Sequence, residues 1–358
     1  MRILFKTSYL DDIRLLKHSG YSFWYGVLVV ALVVAPALLA EFYVGELSPI
    51  FVLAIAGVGL MLLIGYTGLA SLGHGAFMAI GAYTDTYLIT KGVPFPIAFV
   101  TAGLLAMVAG IAVALPANRM TGIYLAIATL AFAVIMEQVF THWTTVTGGA
   151  RGFAVAKPEL FGWELKTEAH FYYLCLVILI LITLGTRNIL RSATGRAMMA
   201  IRDSEISAQS MGIHIARTKV TSFGISTFIT GIAGALLAHK IQFVSPEAFD
   251  LILSISLLLM IVVGGLGSLH GCFYGAIVVA FLPQFLSLVK DKLPGHIGNI
   301  PGLTGGVFGL ILVLFILLEP YGIYGRWRKV RLFFEVFPLY RRATFKRQRG
   351  YLKTERMR

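Results

Sequence analysis

The chain has 358 residues, 58% of them hydrophobic and only 13% charged, with a mean hydropathy of +0.82. That balance excludes a soluble globular protein, and its apolar runs use up the length, leaving no room for a separate soluble domain. The formal net charge of +13 calls for no nucleic-acid partner, because the basic residues fall between the apolar runs in a pattern that reads as topology.

The first apolar run starts at Trp24, after four basic residues, and the stretch 37–40 is a poor cleavage site, so the run reads as a retained span. Hydropathy set against charged and Pro/Gly breaks predicts spans near 24–40, 49–65, 73–89, 96–115, 120–140, 171–185, 220–238, 251–264, 272–288 and 303–318. The expected fold is therefore all-α, a polytopic integral membrane protein of about ten transmembrane helices, a number that puts both termini on one side. With the N-terminus inside, the inner segments hold 23 of the 30 basic residues and the outer ones 7, which predicts cytoplasmic termini. The expected organisation is an N-terminal segment 1–23, a permease domain 24–318 with a long inner loop 186–219, and a basic tail 319–358.

The stretch "YTGLASLGHGAFMAIGAYT" at 66–84 crowds glycine, serine and histidine into an apolar region, and "GLGSLHGCFYGAIVVA" at 265–280 repeats its pattern once one residue is gapped. Ser71 and His74 of the first copy correspond to Ser268 and His270 of the second. An internal repeat of this kind fits broken helices around a pathway, and close helix packing explains the same residues. Both readings stand at this point.

Asp85 and Glu137 are the acids inside predicted spans, which makes them pathway candidates. Each lies near an outer boundary, where partial hydration is expected. In the outer loop, Thr147, Gly148, Gly149 and Arg151 belong to "TTVTGGARGF", whose glycine turn is expected to present amides to an anion such as a carboxylate, or to be an ordinary turn.

The inner loop reads as a helix, a break and a second helix of about two turns. Ser192 or Thr194 can cap the first, Asp203 or Ser204 the second, and Gly212 suits the left-handed residue that ends it. Cys175 and Cys272 lie in apolar runs and support neither a disulfide framework nor a metal site. No Gly-x-x-x-x-Gly-Lys-Ser/Thr loop and no hydrolase motif occurs, so no catalytic residue, cofactor or ATP hydrolysis is assigned to this chain. The tail interleaves Trp327, Phe333, Phe334, Phe337, Tyr340 and Phe345 with basic residues, as a membrane-hugging or partner-docking segment does.

Five blocks carry a resemblance. "GYTGLASLGHGAFMAIGAY", "GRAMMAIRDSEISAQSMGI" at 195–213 and "GGLGSLHGCFYGA" at 264–276 resemble three signatures, in order, of the branched-chain amino acid ABC-transporter permeases of the LivM type, whose relatives include permeases for urea and short amides. "TGIYLAIATLAF" and "TVTGGARGF" match as well, so the resemblance covers roughly 50–320. It implies a bacterial inner-membrane subunit working with a second related permease, two ATPase subunits and a periplasmic substrate-binding protein on an amino-acid substrate. It also implies that the inner loop couples to the ATPase, through Arg202, Asp203, Glu205, Ala208 and Gly212. The general importer pattern, Glu-Ala-Ala followed by Gly, is met only at Ala208 and Gly212; Ile206 and Ser207 fill the other places and Glu205 lies one residue early. A urea or amide permease, a secondary transporter driven through Asp85 or Glu137, and a scaffold protein are the rival expectations.

Overall fold

The computed structural model describes residues 19–292 apart from 119, 121, 161, 162, 165 and 166, together with 322–336 and the single positions 306, 309, 310, 313 and 317. The expectations for 1–18, for nearly all of the tenth span and for the tail beyond 336 lie outside the described residues.

The helices in chain order are α1 Ser19–Leu38, α2 Glu41–Met61, α3 His74–Thr90, α4 Phe95–Ala117, α5 Ile123–His142 and α6 Glu168–Arg191. They continue with α7 Ala193–Asp203, α8 Glu205–Ser210, α9 Ile215–Ile241, α10 Leu251–Gly264, α11 Leu269–Lys292 and α12 Gly322–Val336. The first nine expected spans appear as α1 to α6 and α9 to α11. Lipid offers backbone N–H and C=O groups no partners, so a chain this apolar must pair them inside each segment, and helices do that.

At the centre stand α2 and α9, buried on nearly all sides, with α3 and α4 packed against α9 and α6 against α2. The backbones of α3 and α9 approach so closely that a Cβ at Gly81 would fall on the Gly231 carbonyl oxygen, and one at Gly234 on that of Met78. Without a hydrophobic drive between helices in lipid, such small-residue contact lets dispersion hold them together. Around this core α4, α5 and α6 turn Ile97, Leu105, Ile127, Ile135 and Leu181 outward, an apolar perimeter suited to lipid or to another apolar chain.

The outer loop is strapped down. Strand β1 Phe153–Ala154 pairs antiparallel with β4 Phe243–Val244, just past the end of α9, while β2 Glu159–Leu160 and β3 Trp163–Glu164 form a small hairpin.

Two helices are short. At about 1.5 Å per residue, the 17 residues of α3 and the 14 of α10 rise about 26 and 21 Å, less than the roughly 30 Å of a hydrocarbon core. Irregular stretches join α2 to α3 and α10 to α11, the first largely buried in the protein and the second exposing Leu266. They are the two glycine-rich blocks.

Candidate functional site

The first break starts where α2 loosens into a π-helical turn, Leu62–Tyr66, and continues through 67–73, with Gly68 at φ +76°. Thr67, Leu69 and Ser71 are buried, so their polar groups need protein partners. Hydroxyls from two helices and from the break itself provide partners for three amides here. Thr129 Oγ1 of α5 accepts from Leu72 N at 3.0 Å, Ser254 Oγ of α10 accepts from Gly75 N at 2.9 Å, and Ser71 Oγ accepts from Gly73 N at 3.4 Å. These cap the start of α3, whose first amides have no partner in their own helix.

His74, fully buried, ties the network together. Ser226 Oγ donates to the Gly59 carbonyl at 2.7 Å, so its lone pairs receive the proton from His74 Nε2 at 2.9 Å. Nδ1 then accepts from the Ser71 hydroxyl at 3.0 Å. The assignment is a neutral imidazole with its proton on Nε2, set by its neighbours. Ser71 and His74 are thus brought together, as expected, in a closed set of bonds that leaves no donor facing open space.

The second break, Gly265 at φ +120° and Gly267 at φ +80°, sits directly against the first. A Cβ at Gly65 would meet Gly267 N at 2.9 Å, and Gly267 N donates to Met61 Sδ at 3.2 Å. Ser268 caps α11 by accepting from Gly271 N at 3.0 Å. His270, unlike His74, lies at the surface, where it bonds the Tyr25 hydroxyl of α1 at 2.7 Å and stacks on Tyr324 of α12 with an interplanar angle of 6°.

Arg202, at the end of α7, reaches both breaks. Its Nη1 donates to the Gly65 carbonyl at 3.1 Å, and a Cβ at Gly267 would stand 3.6 Å from the same nitrogen. Asp203 Oδ1 accepts from Nε and Nη2 at 3.0 and 2.9 Å and so aims the guanidinium. A cation placed on the last carbonyls of α2 satisfies an orphan acceptor and meets the negative end of that helix. Gly68 leaves the space, since a Cβ there would come within 3.1 Å of Arg202 Cγ.

The inner loop folds as the sequence indicates. Ser192 caps α7 by accepting from Gly195 N, Ser204 caps α8 by accepting from Ser207 N, and Gly212 follows at φ +80°. Of the alternative caps, the two serines are used. Ala208 faces inward, and Glu205 Oε1 lies 2.8 Å from the Nζ of Lys219, a nearly buried lysine at the root of α9. On the outward side Ile206 and Met211 are 83% and 84% exposed, two apolar side chains on a segment that is otherwise polar.

Asp85 corrects an expectation. It is wholly buried, with no water-accessible surface, because His239 of α9 closes over it with Nε2 at 2.6 Å from Oδ2. His239 Nδ1 donates to the Ala156 carbonyl of the outer loop at 3.0 Å, so one proton is shared between the imidazole Nε2 and the carboxyl, and α3, α9 and the loop are joined. Glu137 is half-buried on α5, apart from that pair.

In the outer loop the three glycine amides of the turn are already bonded. Gly148 N bonds the Thr144 carbonyl at 3.1 Å, Gly149 N bonds Thr147 Oγ1 at 3.2 Å and Gly152 N bonds the Gly149 carbonyl at 3.2 Å. The three amides stitch the turn to itself, Thr147 is buried beneath it, and Arg151 alone of the four expected residues is exposed and charged. Sequence reasoning missed Ser226, Thr129 and Ser254, whose only signal was a polar residue inside a predicted helix, and His239 and Lys219, which lie one residue outside the two ends of the predicted span 220–238. Among the described residues no group of His, Cys, Asp and Glu could hold a metal ion.

The family described as "Branched-chain amino acid transport system / permease component" matches residues 43–316, which include both breaks and the inner loop. The high-affinity branched-chain amino acid transport system permease protein LivM of Escherichia coli (strain K12) is 37% identical over 250 residues, 63% of this chain and 59% of that protein. Its counterpart in Salmonella typhimurium is 34% identical over 277 residues, 70% of this chain and 65% of that protein. The chain therefore spans somewhat under two thirds of the length of these two relatives. A probable branched-chain amino acid transport permease protein LivH of Methanocaldococcus jannaschii is 26% identical over 295 residues, 78% of this chain and 90% of that protein. No solved structure matches. With most of its length inside the family match and its higher identities to LivM proteins, the chain belongs to the branched-chain amino acid transport permease family and is of the LivM type.

Proposed function

We propose that this chain is a permease subunit of a bacterial ABC importer for branched-chain or other hydrophobic amino acids. It sits in the inner membrane with both termini cytoplasmic and works with a second related permease, two ATPase subunits and a periplasmic binding protein. The observation that carries the coupling part is the line of contact from α8 to the breaks. Ile206 and Met211 give an ATPase groove two apolar side chains to seize, Glu205 ties α8 to Lys219 of α9, and Arg202 passes from the adjoining turn to Gly65 and Gly267. Two-turn helices do not hold themselves in water, so a pull on α8 is delivered to what it packs on. Motion at that point shifts both breaks at once, which is how one group of helices is moved against another in alternating access.

Ser71, His74, Ser268, His270, Asp85 and Glu137 stay proposed as pathway residues. The proton-driven rival is disfavoured because Asp85 is held by His239 and Glu137 lies off the core. The test is uptake of labelled leucine, with urea in parallel, in cells lacking the chain and in the same cells with it restored. Leucine uptake that depends on the chain, and on ATP in vesicles whose ion gradients are collapsed, upholds the reading; a response to urea alone overturns the substrate. Gly212→Val, at φ +80° with open space around it, strains only the backbone. It is expected to leave insertion intact while ATP hydrolysis continues without uptake.

A further inference from the structure

The helix α12 is built onto the second break. Gly322, at φ +67°, is buried against Gly265, and a Cβ there would lie 2.6 Å from Gly265 N and Cα. Two residues on, Tyr324 stacks on His270 of α11. Since Gly267 of the same break faces Arg202, α12 leaves the protein on the face that carries α7 and α8.

Beyond this first turn the helix faces outward. From Arg326 to Phe334 every side chain is exposed. Ile323, Trp327, Val330 and Phe334 recur at i, i+4, i+7 and i+11, one narrow stripe of a helix, with Trp327 56% and Phe334 72% exposed. Phe333 packs edge-on against Phe334. Four cations, Arg326, Arg328, Lys329 and Arg331, lie in the same two turns, with Arg326 and Arg331 bordering the stripe on either side. An exposed aromatic and aliphatic stripe edged by fixed positive charge matches the boundary between acyl chains and anionic headgroups.

We propose that α12 docks on anionic lipid of the membrane surface and that this contact sets the position of the second break. The stripe enters the headgroup boundary and the four cations take lipid phosphates. Because Gly322 and Tyr324 are packed on Gly265 and His270, the break moves with the helix. The inference rests on the proposed transport function only for its second half.

The test uses the full transporter in vesicles of phosphatidylcholine with added phosphatidylglycerol, one lipid or the other brominated. The chain has four tryptophans, so Trp327 is read as the difference between the wild-type chain and Trp327→Phe. Brominated phosphatidylglycerol is expected to quench Trp327 more strongly than brominated phosphatidylcholine. Replacing the four cations with glutamine should reduce that preference at least about fivefold, the effect expected for even one basic residue near an anionic surface. Equal quenching by the two lipids, or an undiminished preference in the variant, overturns lipid docking, and this readout needs no transport. Loss of the preference on adding millimolar glycerol phosphate at constant ionic strength would mean a site for free phosphate and overturns it too. Uptake should rise with the phosphatidylglycerol fraction for the wild-type chain and stay flat for the variant; an equal rise in both overturns the link to the break.

Discussion

Two copies of one sequence pattern have been put to different uses. In the first break the serine and histidine are sealed in the core and bonded to α9 and to the break itself, whereas in the second Ser268 caps its own helix and His270 lies at the surface between α1 and α12. The shared feature is a helix ending, a glycine backbone and a new helix beginning with its amides capped. The difference is depth. The first break is held by many bonds to its surroundings, and the second is held by few, so the second is the easier one to move.

That contrast is sharpest in a steric test. Gly73 packs on the Thr129 carbonyl, with a Cβ position 2.6 Å from that oxygen, while a Cβ at Gly267 meets nothing nearer than 3.6 Å. Gly73→Val should abolish accumulation of folded protein, a backbone clash having no side chain to yield. Gly267→Ala should cost only about 1 kcal/mol, the strain of a left-handed alanine, and detergent-extracted yield together with thermal unfolding checks both. Equal yields would erase the distinction in packing.

Next in size is the loss of the buried imidazole. His74→Ala leaves the Ser71 hydroxyl proton without an acceptor where water does not reach, at about 1–3 kcal/mol for a buried donor left unmet, while Ser226 keeps its bond to the Gly59 carbonyl. The melting temperature should fall sharply, and His74→Gln, which can hydrogen bond to one serine, should restore part of it. A melting temperature unchanged in His74→Ala would show that the network adds nothing to the fold.

The sequence made some of this legible and concealed the rest for a physical reason. Serine caps and Gly212 depend on neighbours within a few residues, so α7, α8 and their boundaries could be read directly. Nine apolar runs became helices because a membrane leaves the backbone no alternative. Partners distant in the chain were not legible: Ser226 is 152 residues from His74, and His239 is 154 from Asp85. Asp85 was expected to be wet because its position along the helix is near the outer end; its burial depends on which side of α3 faces α9, which hydropathy does not report. The outer glycine turn was open between an anion site and an ordinary turn, since composition shows glycines but not that Thr144, Thr147 and Gly149 occupy the glycine amides.

Between the two breaks lies Arg202, and its replacement should change function more than stability. The side chain is about one third exposed and its salt bridge to Asp203 is largely in solvent, so Arg202→Gln should shift stability by no more than about 1 kcal/mol. If the bond to the Gly65 carbonyl carries the stroke, ATP hydrolysis by the assembled complex should persist while uptake per ATP falls several-fold. Arg202→Lys, with one point charge in place of an aimed fork, should recover only part of it. An unchanged ratio of uptake to hydrolysis in Arg202→Gln would leave Glu205 and Lys219 as the path from α8.

The smallest effect belongs to the surface histidine. His270 gives up one hydrogen bond to Tyr25 and a ring stack with Tyr324, both at groups that water can solvate, so His270→Ala should cost about 0.5–1.5 kcal/mol, well below His74→Ala. Tyr25→Phe removes the hydrogen bond alone and should cost less again. The informative quantity is the ratio of the two histidine effects in thermal unfolding of the same complex. A ratio well above one fits a sealed first break beside an adjustable second one. A ratio near one would mean that α1 and α12 clamp His270 as firmly as the core clamps His74, and the second break would then be a fixed joint.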